Sequence, residues 1–268
     1  MNPFDVIATD LDGTFLTDDK QVPELNARAV RVAAGRGIPT IYASGRPVRW
    51  FGVLDALAET HGWAVAANGA VTVDLFNRRV VHARTMDPAL VAEVAAEIRR
   101  ALPTAGFAVE YLREWGAEPH YLHPDRGQLR APVAELLERE PVVKFLVVDP
   151  ATPTDELAAV VAELTDERLT VTFSHVSTAG MLELSAAGVS KALALAELLD
   201  DLAVPASRLV AFGDMPNDLP MLGLAGQGYA MPRSHPSVIA AGYPVVGDNN
   251  DAGVGRTILR LLGEPVAD

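Results

Sequence analysis

The sequence holds no cysteine. That removes structural disulfides, thiolate zinc sites and a cysteine nucleophile, and it suits a reducing compartment, so a cytoplasmic location is expected. Positive charge is scarce: 22 Lys and Arg stand against 35 Asp and Glu, a formal net charge of −13. Such a field argues against general binding to nucleic acid or to an anionic membrane. It also repels any small anionic ligand, so an anion site has to be built locally. Long apolar runs are missing as well. No uncharged stretch reaches the roughly 18 residues of a transmembrane helix. The opening Met1-Asn2-Pro3-Phe4-Asp5 lacks the basic and apolar regions of a secretory leader, so none is expected. Internal repeats and low-complexity tracts are absent too.

What is present is an ordinary globular composition, 49% apolar and 21% charged over 268 residues, enough for one core with a sizeable insert. The first segment reads strand, turn, helix, strand. Phe4 to Thr9 and Ile38 to Ala43 are short apolar runs of the buried parallel kind. Between them Leu25, Ala29, Val32 and Ala33 recur at helical spacing, and Gly35 and Gly37 end the helix. A second helix, about Val48 to Thr60, leads to a strand at Trp63 to Ala67 and a turn at Asn68-Gly69. Alternation of this kind predicts a parallel sheet with helices on both faces. From about residue 84 the pattern becomes α+β. Asp87-Pro88 starts a helix with Leu90, Val91, Val94, Ala95 and Ile98 on one face, and strand-like runs follow at 107–111, 142–148, 169–173 and 181–184, with a longer loop at 116–127. After Gly188 simple alternation returns, with a helix over 190–202, strands at 209–212 and 228–231, and a last helix over 255–262. The expected organisation is therefore a core segment 1–83, an inserted module 84–187 and a second core segment 188–268. The fold class is α/β: a doubly wound parallel-sheet (Rossmannoid) core with an inserted α+β cap.

Asp10 and Asp12 carry the strongest chemical signal. Residues i and i+2 of an extended segment point the same way, just beyond a strand's carboxyl end, where open α/β sheets bind ligands. Two carboxylates forced together require a cation or a shared proton, and hard oxygen donors suit Mg²⁺. Asp214 follows a second apolar strand and is a candidate for a further metal carboxylate, with Asn217 and Asp218 beside it as candidate ligands or helix caps. Ser44 and Arg46 follow the second strand, where a hydroxyl, backbone N–H groups and a guanidinium are able to hold phosphoryl oxygens. Lys191 sits in the first turn of a helix, where a cation opposes the helix dipole unless an anion is close. Taken singly, each is most simply a cap, a turn or a solvated charge. Together, four strand-to-helix junctions each supply one part of a phosphoryl-transfer apparatus.

The motifs resemble the haloacid dehalogenase superfamily, in particular its Cof-type phosphatases with a large class IIB cap. The matching residues are Asp10-Leu11-Asp12-Gly13-Thr14-Phe15-Leu16, Ala43-Ser44-Gly45-Arg46-Pro47, Asn68-Gly69-Ala70, Val189-Ser190-Lys191 and Gly213-Asp214-Met215-Pro216-Asn217-Asp218. Phe15 replaces a common Leu, a packing change. The resemblance implies a phosphatase acting on small phosphorylated metabolites, sugar or nucleotide phosphates. Asp10 would be the nucleophile and Asp12 the acid and base. Mg²⁺ would lie between Asp10, the Asp12 backbone carbonyl and Asp214, with Asn217 or Asp218 assisting. Ser44, Gly45, Lys191 and Asn217 would hold the phosphoryl group, and Arg46 and Asn68 are substrate-side candidates.

The same residues leave two alternatives. A phosphomutase would use the same aspartyl-phosphate. A receiver-like phospho-binding module also clusters Asp, a hydroxyl and Lys, but lacks an insert of about a hundred residues. His120, His123 and Asp125 are read as a cap loop, and Trp50, Trp63 and Trp115 as packing residues or cap contacts. Lys144 is an unusual charge in an apolar strand.

Overall fold

The computed structural model describes residues 2–121 and 129–266. In the first segment β1 (Val6–Thr9) leads to α1 (Glu24–Gly35), β2 (Thr40–Ala43), a 3₁₀ helix (Val48–Thr60) and β3 (Trp63–Ala66), followed by the hairpin of β4 (Val71–Asp74) and β5 (Arg79–Ala83). The helix expected over 48–60 is thus 3₁₀ rather than α. Its buried residues are Phe51, Leu54, Leu57 and Thr60, a spacing of three that aligns in one stripe only at three residues per turn.

The inserted segment opens with α2 (Pro88–Ala101), whose N-cap Asp87 accepts from Ala89 N at 2.9 Å. Then come β6 (Gly106–Glu110), β7 (Trp115–Ala117), β8 (Leu129–Arg130), α3 (Val133–Arg139), β9 (Lys144–Asp149), α4 (Thr154–Thr165), β10 (Leu169–Thr172) and β11 (Gly180–Ala186). The chain returns through α5 (Lys191–Asp201), β12 (Leu209–Gly213), α6 (Leu219–Leu224), β13 (Gln227–Ala230), α7 (Pro236–Ala240) and α8 (Gly253–Leu261). Part of the loop expected over 116–127 is strand β7. His123 and Asp125 lie outside the described residues, while the His120 ring sits beside Arg99 on the surface.

Two sheets result. The first has the order β13-β12-β1-β2-β3-β4-β5, parallel from β13 to β3 and antiparallel at the β4–β5 edge. Alternation along β1 decides its layers. Val6 and Ala8 pack with Leu195, Leu198 and Met221 on one face, while Ile7 packs with Val30 and Ile258 on the other. From β1 the chain winds one way to β2 and β3, and β12 with β13 lies on the other side. The gap between β1 and β12 is therefore the switch point where a crevice opens beyond the strand ends.

The second sheet has the order β10-β11-β9-β6-β7-β8. One face is covered by α2, α3 and α4, with Phe107, Val109, Phe145 and Val147 turned toward them. The opposite face carries Ala108, Trp115, Ala117 and Leu146, and it looks onto the first sheet's carboxyl ends across a cavity of about 510 Å³. Among the described residues no helix is long and apolar enough to cross a membrane.

Candidate active site

The site is assembled at the β1–β12 switch point. Asp10 N donates to Phe212 O at 2.9 Å, which ties the end of β1 to β12. The chain then turns sharply at Gly13, where φ is +84° and a Cβ would lie 2.6 Å from Asp214 Oδ2. Only glycine allows both the backbone and the close approach. Thr14 Oγ1 donates to Asp214 Oδ1 at 2.8 Å, so the turn after β1 orients the carboxylate delivered by β12. Asp218 Oδ2 accepts from the backbone N–H groups of Asp214 and Met215 at 3.0 and 2.9 Å, fixing that loop from within.

Lys191 comes from a distant element. Ser190 caps α5 by accepting from Leu193 N at 3.1 Å, which sets the helix start. Gly69 packs against it so closely that a Cβ would sit 2.1 Å from Ser190 O. Lys191, only 1% exposed, donates through Nζ to Asp10 Oδ1 at 2.5 Å and Asp218 Oδ1 at 2.6 Å. The adverse first-turn cation is thereby explained: two buried anions outweigh the dipole.

Asp10, Asp214 and Asp218 each offer an oxygen, all within 4.8 Å of one another. One lysine does not neutralise three buried carboxylates, and the electrostatics register the excess. Burial pushes the Asp10 carboxyl well up, and Asp218 and Asp214 push it further against the pull of Lys191. Burial, then Asp218, drives Asp214 to about 7 despite the Thr14 bond and Lys191. Burial alone would depress Lys191, but Asp10 and Asp218 outweigh it and hold the ammonium charged. A buried, all-oxygen set with surplus negative charge fits a divalent metal.

Asp12 stands apart from this trio. Arg46 grips its carboxylate with two bonds, Nε at 2.6 Å and Nη2 at 2.8 Å, and Lys20 adds an ion pair at 2.8 Å. Burial works to raise its pKa, yet the two cations prevail and lower it. As held here Asp12 is ionised, the state a base requires; acting as an acid requires release from Arg46.

The remaining site residues form a second chain of contacts. Ser44 N donates to Val65 O at 2.8 Å, Asn68 N donates to Ser44 O at 3.0 Å, and the buried Ser44 hydroxyl accepts from Arg46 N at 3.2 Å. The Gly45 carbonyl accepts from Lys144 of the cap. Asn68 Nδ2 donates to Glu183 Oε2 at 2.8 Å and to Thr172 Oγ1 at 2.9 Å, and its Oδ1 accepts from Asn217 Nδ2 at 3.0 Å. A carboxylate only accepts, so Glu183 fixes the orientation of Asn68, and Asn68 in turn fixes that of Asn217. Asn217 Oδ1 is consequently a buried acceptor with no partner among the described residues.

All ten residues singled out from the sequence lie around this crevice. Asp10, Lys191, Asp214 and Asp218 meet directly, Asp12 with Arg46, Ser44, Gly45 and Asn217 line the cavity, and the buried Asn68 stands behind Asn217. Sequence reasoning missed Lys20, Thr14, Arg49, Glu110 and Glu183. For the two glutamates a signal existed, a lone charge inside an apolar strand run, as at Lys144.

Comparison with known proteins gives the family and the fold. A profile of the haloacid dehalogenase-like hydrolase family matches residues 7–258. The 5-amino-6-(5-phospho-D-ribitylamino)uracil phosphatase YitU of Bacillus subtilis is 28% identical over 261 residues, covering 94% of this chain and 95% of the relative. SMU.1108c of Streptococcus mutans UA159 has a similar fold, with TM-score 0.86, 24% identity, and coverage of 97% of this chain and 100% of that one. The subclass IIB sugar phosphatase BT4131 superposes with TM-score 0.81 and 18% identity, over 96% of this chain and 98% of that one.

Proposed function

The chain belongs to the haloacid dehalogenase-like hydrolases, and from that premise we propose that it is a Mg²⁺-dependent phosphatase of small phosphorylated metabolites, working through an aspartyl-phosphate on Asp10. The observation that carries this reading is the buried meeting of Asp10, Lys191, Asp214 and Asp218, drawn from the ends of two strands, β1 and β12, and a helix start.

Asp10, Asp214 and Asp218 would hold the Mg²⁺, which supplies positive charge opposite the phosphoryl oxygens. A carboxylate oxygen of Asp10 attacks phosphorus as the bond to the leaving oxygen breaks, and Asp12 gives that oxygen a proton. Water then attacks the phosphoryl group on Asp10. Asp12 takes the water's proton, inorganic phosphate departs and the Asp10 carboxylate is restored. Lys191 neutralises charge spread over the equatorial oxygens, and the Ser44 hydroxyl donates to one of them. The local cations also answer the −13 field, which otherwise repels the substrate. YitU, which aligns over 94% of this chain, acts on a phosphorylated ribityl compound by its name, and this supports a small polyhydroxy ester as substrate.

The test is a panel of phosphorylated metabolites with Mg²⁺, read as released phosphate. Hydrolysis of a subset is expected, with Asp10→Asn reducing turnover by roughly 10⁴-fold. Release that survives Asp10→Asn, or transfer of phosphate to an isomer of the substrate instead of water, contradicts it.

A further inference from the structure

The cap end of the cavity restricts the leaving group, an inference that rests on the phosphatase reading. Among the described residues, four cationic side chains line the cavity: Lys20, Arg46, Arg49 and Lys144. Lys20 and Arg46 both pair with Asp12, so these two cations stand on the side of the nucleophile, where the phosphoryl dianion goes.

At the cap end cations and carboxylates match one to one. Arg49 forks across Glu110 with both amino groups, Nη2 lying 2.9 Å from Oε1. Its guanidinium carbon is also 5.4 Å from the Trp50 ring centre and 5.8 Å from that of Trp115, so both its edge and its faces are engaged. Lys144 donates to Glu183 at 2.5 Å and to the Gly45 carbonyl. Glu110 and Lys144 are direct cross-strand neighbours on β6 and β9, and Glu183 joins them from β11 on the same sheet face. Beyond them the wall carries Leu146 and Met181 together with the polar side chains Ser174 and His175.

We infer that the physiological substrate has an uncharged leaving group, and that the Arg49–Glu110 fork is the specificity device that rejects a second anion. A leaving group bearing a carboxylate or a further phosphate has to draw Arg49 from Glu110, or Lys144 from Glu183. Glu110 is 4% exposed and Glu183 5%. Either exchange strands a buried carboxylate next to the incoming anion, a penalty that a neutral alcohol never meets.

The experiment compares kcat/KM with Mg²⁺ for phosphomonoesters sorted by leaving-group charge, including p-nitrophenyl phosphate, fructose 6-phosphate against fructose 1,6-bisphosphate, and glucose 6-phosphate against 6-phosphogluconate. Neutral leaving groups are expected to lead, by about tenfold or more within matched pairs. A leading substrate with an anionic leaving group, or equal rates across charge, overturns the inference while leaving the phosphatase reading intact. No hydrolysis of any compound instead overturns that reading. Glu110→Gln retains the shape and frees Arg49, so it should raise the anionic-to-neutral ratio by about tenfold. An unchanged ratio in a folded variant refutes the role given to the fork. Arg49→Gln is the complementary variant and should lower the ratio. The wild-type ranking decides the charge question even where neither variant folds.

Discussion

Lys191 is the residue on which the acidic pocket balances. Asp10 and Asp218 both accept from it, and Asp218 is fully buried. Replacing it by methionine keeps the length of the side chain and leaves two carboxylates unpaired beside a third. In metal-free protein Lys191→Met should destabilise by about 3–5 kcal/mol. At about 2–4 °C per kcal/mol for a chain of this size, calorimetry in chelator will show a fall of roughly 10 °C. A melting temperature within about 2 °C of wild type would contradict the pairing. The sequence already flagged this residue, because a first-turn lysine is unfavourable without an anion nearby. It said nothing of Thr14 orienting Asp214, or of Arg46 gripping Asp12, since a bond between residues 200 or 34 positions apart leaves no local trace.

At the scale of elements, the legible parts were those with a period. The strand runs and the helices with a single buried stripe, such as Val91, Val94, Ala95 and Ile98, stand where their spacing put them. The β4–β5 edge was not legible, because β5 is mostly exposed and shows no alternation. Neither was the 3₁₀ character of 48–60, which depends on packing against the sheet. The junctions matter more than the elements, and Gly69 shows why. Its φ is +106° and a Cβ would meet Ser190 O at 2.1 Å, so Gly69→Ala must move either the turn after β3 or the start of α5. Gly37 is a control, with φ +75° and nothing within 4 Å of its missing Cβ. Gly37→Ala should cost only the backbone strain, about 1 kcal/mol in urea unfolding. Gly69→Ala should exceed that by about 2 kcal/mol and, by displacing Lys191, lower kcat at saturating substrate. Equal losses for the two substitutions would show that the turn and α5 are not rigidly coupled.

For the whole molecule, the decisive quantity is how charge at the crevice depends on protons and metal. The folded, metal-free chain raises Asp214 from 3.8 to about 7 and raises Asp10 in the same direction. Raised carboxyl pKa values mean that the folded state binds protons which the unfolded chain has already released. Their contribution to stability is therefore full below about pH 4 and is lost as pH rises through about 7. The carboxylates with lowered pKa, Asp5, Asp12, Asp18 and Glu59 among them, act with the opposite sign but only below 4.5, outside the range from about pH 5 to 8. A divalent cation competes with the same protons, because ligating carboxylates must be ionised. Metal-free protein should accordingly melt higher near pH 5 than near pH 8, and Mg²⁺ should raise the melting temperature strongly near pH 8 and little near pH 5. General self-repulsion at −13 also grows with pH, so NaCl at matched ionic strength is the control for screening. In Asp214→Asn the extra Mg²⁺ shift near pH 8 should shrink toward the NaCl value. A Mg²⁺ shift of equal size at both pH values, or one reproduced by NaCl, would mean that the three carboxylates do not form the metal site.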